Sequence, residues 1–271
     1  MGKFDGILIC TDLDGTLLRD DKTVSEKNLE AIEYFKSEGG CFTIVTGRMY
    51  FFASGICDIV KPNCPIGCIN GGAVYDYSVG KYVWRKELKD DVKELVQYIA
   101  DNVPTAGIQL NAFERIWFCR ENEVMKEFRR LTGVPKLSEG IYEVDEPLAK
   151  IVFGDDEDGI LRIKQLLDSH PRADEFDFIR SEKYLYEILP KGINKGVSLC
   201  KIAEHLGIDM RKTVAVGDYN NDIGMLKAAG CGVAVSNATE DTKNAADYIT
   251  VSNMEDAVAA VIFDIENGKI L

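Results

Sequence analysis

The hydrophobic positions at the start of the chain predict alternating strands and helices. Residues 7–18 (ILICTDLDGTLL) begin as a continuous apolar run, which is typical of a strand buried on both faces of a parallel sheet. Residues 24–38 carry apolar side chains at helical spacing, and apolar strands are predicted at 41–45 and 66–69. Strand, helix, strand, helix and strand in this order indicate a parallel α/β layer, and residues 73–83 are predicted to form a hairpin.

The pattern changes between about residues 84 and 187 and returns afterwards. In this middle block we predict helices over 89–102, 121–131 and 158–168, and strands over 108–119, 149–154, 176–179 and 184–189. After it we predict strands over 213–216, 232–235 and 248–251, and helices over 194–206, 222–229, 240–246 and 254–264. We therefore expect a discontinuous α/β domain, residues 1–83 and 188–271, with an α+β domain, residues 84–187, inserted into it.

Two aspartates stand at the end of the first predicted strand. Asp12 and Asp14 are one residue apart, so their side chains point the same way if the strand stays extended. Two such carboxylates repel each other unless a cation or a proton holds them. Gly15 permits a tight turn directly after them.

Other polar groups follow the remaining strands, and parallel α/β sheets bind ligands at such strand ends. Thr46, Gly47 and Arg48 offer a hydroxyl, a backbone N–H and a helix start, which together suit a phosphate. Lys195 begins a later helix and can supply a cation to the same anion.

The last of these strand ends carries further carboxylates. Asp218 ends a strand, and Asn221 and Asp222 follow at the next helix start. A site rich in carboxylate oxygens suits a hard divalent cation, so we predict Mg²⁺.

Composition narrows the class of protein. The chain has 271 residues, 46% of them apolar, and a net charge of −13, which argues against a nucleic-acid partner. It has no apolar run of the roughly 20 residues that a membrane span needs. Its eight cysteines form no CxxC pair, and with two histidines they give little support to a structural zinc site. We expect a soluble protein of the reducing cytoplasm.

The motifs together resemble the haloacid dehalogenase superfamily of phosphohydrolases. The resemblance rests on DLDGT at 12–16, TGR at 46–48, Lys195 and GDYNND at 217–222. The size of the insert, NGG at 70–72 and DIGML at 222–226 are similar to the Cof-type subgroup. The resemblance implies a Rossmann-like three-layer core with a central parallel sheet, and residues 84–187 as its α+β cap.

The resemblance also implies roles for the two aspartates and a metal ion. Asp12 would be the nucleophile that forms an aspartyl-phosphate. Asp14 would act as general acid and then as general base, with its side chain free for proton transfer. Mg²⁺ would be bound by Asp12, the backbone carbonyl of Asp14 and Asp218, with Asp222 acting through water.

The remaining motif residues would bind the transferring phosphoryl group. Thr46, the Gly47 N–H, Lys195 and Asn221 would contact its oxygens. For Arg48 two roles stay open, since it would either face the leaving group or only pack.

The expected activity is Mg²⁺-dependent hydrolysis of a small phosphorylated metabolite: a sugar phosphate, a phosphorylated cofactor or a nucleotide. Candidates for reading the leaving group lie in the predicted cap: Tyr184, Tyr186, Arg115, Trp117 and Arg180. Two alternatives stay open, a phosphotransferase or phosphomutase that uses the same aspartyl-phosphate, and a non-catalytic phosphoryl-binding regulatory module. The sequence carries no signal for an oligomeric state.

Overall fold

The computed structural model describes residues 2–271, in which strands and helices alternate. The first part contains β1 (Leu8–Thr11), α1 (Glu26–Ser37), β2 (Cys41–Ile44), α2 (Tyr50–Val60), β3 (Ile66–Cys68), β4 (Ala73–Asp76) and β5 (Lys81–Arg85). The middle part contains α3 (Val92–Asn102), β6 (Gly107–Ala112), β7 (Ile116–Arg120), α4 (Glu123–Thr132), β8 (Leu148–Gly154), α5 (Glu157–Asp168), β9 (Phe176–Glu182) and β10 (Leu185–Pro190). The last part contains α6 (Lys195–Leu206), β11 (Thr213–Gly217), α7 (Ile223–Ala228), β12 (Cys231–Ala234), α8 (Glu240–Ala245), β13 (Tyr248–Ile249) and α9 (Ala257–Glu266).

The flanking parts of the chain share a parallel sheet. Its strand order is β13-β12-β11-β1-β2, so that β1 pairs in parallel with both β11 and β2. All four residues of β1 are buried, as its continuous apolar run predicts. Side chains of α6 and α7 pack against Leu8, Cys10 and Ala215 of this sheet. The predicted α/β fold with a central parallel sheet is confirmed.

The third predicted strand does not extend the parallel sheet. β3 pairs antiparallel with β4, which pairs antiparallel with β5, in a separate three-stranded sheet. Only one parallel bridge, between Val45 and Gly67, joins this segment to the end of β2. β3 is three residues long and ends where Ile69 and the two residues after it adopt left-handed backbone angles, which end a strand.

The middle part forms a unit of its own, Lys86–Ile193, with an antiparallel sheet in the order β7-β6-β8-β10-β9. A buried cluster lies between this sheet and the helices α3 and α5. The prediction of one strand over 108–119 is wrong, because the chain reverses at residues 113–115 and β6 pairs with β7. Residues 113–115 include no Gly or Pro, so this turn lacks the residues that usually mark one in a sequence.

The other unit comprises the chain up to Arg85 together with Asn194–Leu271. The predicted boundary at residue 187 falls inside β10, because the strand-forming run continues to Pro190. The assignment of the middle unit as a cap stays a prediction. No helix within residues 2–271 has the length and apolar character needed to cross a membrane.

Candidate active site

Asp12 and Lys195 form the buried centre of the site. Asp12 directly follows β1 and is 7% exposed, and its N–H donates to the Val216 carbonyl of the neighbouring strand (2.9 Å). The Lys195 ammonium is 1% exposed and donates to Asp12 Oδ1 and to Asp222 Oδ1, both at 2.6 Å. One buried cation therefore bridges two carboxylates from different loops.

The turn after β11 fixes the position of the other carboxylates. Asp222 Oδ2 accepts the backbone N–H groups of Asp218 and Tyr219, both at 3.0 Å. Thr16 Oγ1 donates to Asp218 Oδ1 at 2.6 Å. Gly15 has φ +83°, and a Cβ atom there would lie 2.5 Å from Asp218 Oδ2. Only glycine therefore lets the turn after β1 approach Asp218 so closely.

Three carboxylates form a cluster that can hold a metal ion. One oxygen each of Asp12, Asp218 and Asp222 lies within 4.8 Å of the others. Burial is the largest cause that raises the pKa of Asp12, to about 8, and the nearby Asp222 and Asp218 charges add to it against the opposing effect of Lys195. Burial also raises the pKa of Asp218, to about 6. The three carboxylates of the cluster carry more negative charge than the single Lys195 offsets. A divalent cation would offset the remaining negative charge.

The Asp14 side chain lies in a different environment and is not free, in contrast to our expectation. Arg48 donates to both of its oxygens, from Nη2 at 2.8 and 2.7 Å and from Nε at 3.1 Å, and Lys22 Nζ donates at 2.9 Å. Partial burial acts to raise the pKa of Asp14. The hydrogen bonds and charges of Lys22 and Arg48 outweigh it, so the pKa lies below its usual value. The Arg48 side chain is thus paired with Asp14, and the two roles left open for it stay predictions.

The turn at residues 46–48 packs against the turn that follows β3. The N–H groups of Ile69 and Asn70 donate to the carbonyls of Arg48 (3.0 Å) and Thr46 (3.1 Å). Asn221 Nδ2 donates to Asn70 Oδ1 at 3.2 Å. The two predicted phosphate-binding segments therefore meet at Asn70.

The backbone around Lys195 is also tightly packed. Asn194 caps α6, since its side chain accepts the Gly196 N–H (2.9 Å). A Cβ atom on Gly71 would lie 1.9 Å from the Asn194 carbonyl oxygen, and Gly71 has φ +100°. Glycine at position 71 therefore allows the 69–71 turn to contact the start of the helix that carries Lys195.

The structure brings most of the predicted site residues together, in one unit of the chain. Asp12, Asp218, Asp222 and Lys195 are in direct contact or within one cluster, and Asn221 joins the 46–48 turn through Asn70. Sequence reasoning missed Thr16 and Lys22. Thr16 belongs to the DLDGT motif, which was a usable signal, whereas nothing in the sequence marked Lys22.

The predicted leaving-group residues of the middle unit have varied surroundings. Tyr186 is 3% exposed and belongs to the hydrophobic core of that unit, so it does not present its ring to a ligand. Trp117 Nε1 donates to Glu146 (3.1 Å), and Arg115 also pairs with Glu146 (3.3 Å). Arg180 donates to the Lys183 carbonyl, and Tyr184 is exposed.

Comparison with known proteins places this geometry in a family. Residues 9–262 match the family model described as haloacid dehalogenase-like hydrolase. The chain is 32% identical over 257 residues to the 5-amino-6-(5-phospho-D-ribitylamino)uracil phosphatase YitU of Bacillus subtilis, covering 93% of this chain and 94% of the relative. It is 31% identical to the B. subtilis phosphatase YcsE, which has the same named substrate, covering 94% of each chain.

A solved structure agrees with the sequence relatives. The crystal structure of a haloacid dehalogenase-like hydrolase from Bacteroides thetaiotaomicron superposes with a TM-score of 0.85 at 27% identity, covering 96% of this chain and 99% of that one. With the family model matching almost the whole chain, the protein belongs to the haloacid dehalogenase-like hydrolases.

Proposed function

We propose that the protein is a metal-dependent phosphatase that hydrolyses a small phosphomonoester through a phosphorylated Asp12. The observation that carries the proposal is the buried Asp12 at the end of β1, which contacts Lys195 within a cluster of three carboxylates. Its relatives YitU and YcsE are named as phosphatases. The protein is therefore a phosphoric monoester hydrolase of this family.

Asp12 is the proposed nucleophile, and Asp14 is the proposed general acid and base. An Asp12 oxygen attacks phosphorus while the bond from phosphorus to the leaving oxygen breaks, and Asp14 gives that oxygen a proton. Water then attacks phosphorus, the bond to Asp12 breaks, and Asp14 takes the proton of the water. Because a paired carboxylate is a poor acid, this role requires that substrate binding loosens the Arg48–Asp14 pair.

The donor set fits Mg²⁺. Asp12 and Asp218 offer carboxylate oxygens whose pKa values are raised by burial and, to a smaller extent, by the neighbouring carboxylates, and the Asp14 carbonyl is the proposed third protein ligand. Both Asp222 oxygens accept hydrogen bonds from protein groups, so Asp222 is proposed to position Lys195 and to reach the metal through water. When bound, the ion would reduce the repulsion between Asp12 and the phosphate dianion.

Four groups are proposed to hold the phosphoryl oxygens. They are the Thr46 hydroxyl, the Gly47 N–H, Lys195 and the Asn221 amide. Phosphoryl transfer needs little covalent help beyond the nucleophile, so placing donors around the developing charge is the main task of such residues. Lys195 meets this need, because its position is fixed by two carboxylates and it remains protonated at neutral pH.

The substrate is proposed to be a small phosphorylated metabolite of the cytoplasm. The first compound to test is 5-amino-6-(5-phospho-D-ribitylamino)uracil, because two relatives that align along nearly their whole length are named for it. Sugar phosphates are the second class to test. The eight cysteines are all free thiols, which suits a reducing compartment.

The test compares wild type with Asp12→Asn on an aryl phosphate and on the uracil substrate, with Mg²⁺ and with a chelator. We expect phosphate release only from the wild type with metal. Asp209→Asn is the matched control, since Asp209 is a surface residue before β11 that pairs with Arg211. Full activity of Asp12→Asn, or equal activity in chelator, would reject the proposal.

A further inference from the structure

The turn at Ile69–Gly71 has a backbone that proteins rarely use. Ile69, Asn70 and Gly71 have φ values of +57°, +51° and +100°. The left-handed region is unfavourable for a β-branched residue such as Ile69, and a run of three such residues persists only where the surroundings impose it. Backbone strain of this kind clusters at sites where a turn positions functional groups.

The turn contacts all three segments that are proposed to bind phosphate. The Ile69 and Asn70 N–H groups bind the carbonyls on either side of Gly47, and Asn70 Oδ1 accepts from Asn221. Gly71 lies against the carbonyl of Asn194, the residue before Lys195. Asn70 is 2% exposed and is the only one of the three turn residues whose side chain and backbone both take part.

The Asn70 N–H determines the direction of one proposed phosphate ligand. It donates to the Thr46 carbonyl at 3.1 Å. The Thr46 carbonyl and the Gly47 N–H belong to the same trans peptide, so they point in opposite directions. Fixing the carbonyl toward Asn70 turns the Gly47 N–H to the other side. A Cβ atom at position 47 would lie 2.8 Å from Asn70 Oδ1, so this packing also requires glycine there.

The Asn70 side chain determines the orientation of a second proposed phosphate ligand, the side-chain amide of Asn221. A side-chain amide can rotate so that its oxygen and its nitrogen exchange places. Because Asn221 gives one Nδ2 hydrogen to Asn70 Oδ1, its amide is fixed with the nitrogen on that side, and the second Nδ2 hydrogen is available for a phosphoryl oxygen. Without Asn70 the amide could present its oxygen to the dianion, which would repel it.

We propose that Asn70 is a positioning residue for the phosphoryl group, which aims the Gly47 N–H through its backbone and the Asn221 amide through its side chain. This inference rests on the proposed function. Asn70 itself is not expected to contact the substrate. It fixes the orientation of two groups, the Gly47 N–H and the Asn221 amide, that are proposed to do so.

The test is a double-mutant cycle of Asn70→Gly and Asn221→Ala. Glycine adopts φ +51° without strain and keeps the N–H, so Asn70→Gly removes only the side chain. Lys61→Gly is the matched control, because Lys61 also has φ +50° but is the exposed residue that ends α2, where its N–H donates to the Cys57 carbonyl. For each protein we would measure kcat and KM on an aryl phosphate, the Kd of inorganic phosphate with Mg²⁺, and the urea midpoint.

We expect Asn70→Gly and Asn221→Ala each to lower kcat/KM about 10- to 100-fold, the loss typical of one hydrogen bond to a charged group. The kcat/KM of the double variant should lie within about twofold of that of the less active single variant, because both changes disrupt the same donor, the Asn221 amide. Lys61→Gly should match the wild type. If the two losses multiply, or if Asn70→Gly behaves like Lys61→Gly, the proposal is wrong.

The phosphate Kd separates this proposal from the proposed function. If the wild type binds phosphate but hydrolyses no substrate, the double-mutant cycle uses the phosphate Kd instead of kcat/KM. Each single variant should then raise the Kd, and the double variant should raise it little more than the weaker-binding single variant. If the wild type neither hydrolyses a phosphomonoester nor binds phosphate, both proposals are wrong. Should Asn70→Gly not fold, Asn70→Ala takes its place in the cycle, because it also removes the oxygen acceptor of Asn221 and keeps the backbone N–H. A phosphate Kd and a kcat/KM in Asn70→Ala that match the wild type would overturn the proposal.

Discussion

The metal-free protein should lose stability as the pH rises from about 5.5 to about 7.5. Burial raises the pKa of Asp12 to about 8 in the folded protein, whereas an unfolded aspartate titrates near about 3.9. Between these values the folded state holds a proton that the unfolded state has lost. The stabilising effect of that proton is complete below the unfolded pKa and disappears as the pH rises through the folded pKa.

The size of the effect follows from the same two pKa values. Each pH unit inside this window changes the free energy of unfolding by about 1.4 kcal/mol for one proton. Two units therefore remove about 2–3 kcal/mol through Asp12 alone. Asp218, with its pKa raised to about 6, adds a smaller loss of the same sign in the lower part of the window.

The assay is urea unfolding at both pH values, with a chelator and with Mg²⁺. Asp12→Asn is the control that isolates this residue, since asparagine does not titrate, and its pH dependence should be smaller than that of wild type by about 2–3 kcal/mol. Mg²⁺ should stabilise the wild type more at the higher pH, because it binds the ionised cluster. An equal pH dependence in the two proteins, or a wild type that gains stability with pH in chelator, would refute the reasoning.

Two further predictions concern Asp14 and the buried Lys150–Glu187 pair. Asp14→Asn should lower kcat/KM by about 10²–10⁴-fold for alkyl phosphates but much less for 4-nitrophenyl phosphate, whose leaving group needs no proton; equal losses for both would argue against an acid role. In the middle unit, Lys150 donates to both oxygens of the buried Glu187 at 2.9 Å. Lys150→Met should reduce the free energy of unfolding by about 3–5 kcal/mol, and adding Glu187→Leu should recover most of it, as measured by urea unfolding.

The fold was predictable where apolar runs are unambiguous. The buried run of β1 and the strand-ending motifs identify the parallel sheet without further information. The role of β3 was not predictable, because three apolar residues do not distinguish a parallel strand from an antiparallel one. The reversal between β6 and β7 was missed because Phe113 continues the apolar pattern into the turn.

The site was predictable in its residues more than in its contacts. The motif spacing identifies Asp12, Lys195 and Asp222, and the structure joins them by hydrogen bonds of 2.6 Å. The Asp14–Arg48 pair depends on side-chain directions across two loops, which no spacing encodes. The left-handed angle of Ile69 is equally hidden, since isoleucine is among the residues least expected there.

Mass spectrometry of the enzyme, acid-quenched within one turnover, tests the central claim most directly. With Mg²⁺ and substrate in excess, the peptide that contains Asp12 should gain the mass of one phosphoryl group, and Asp12→Asn should gain none. Removal of substrate before the quench should return the peptide to its original mass. A phosphoryl group on any other residue, or none on wild type during active turnover, would contradict the account.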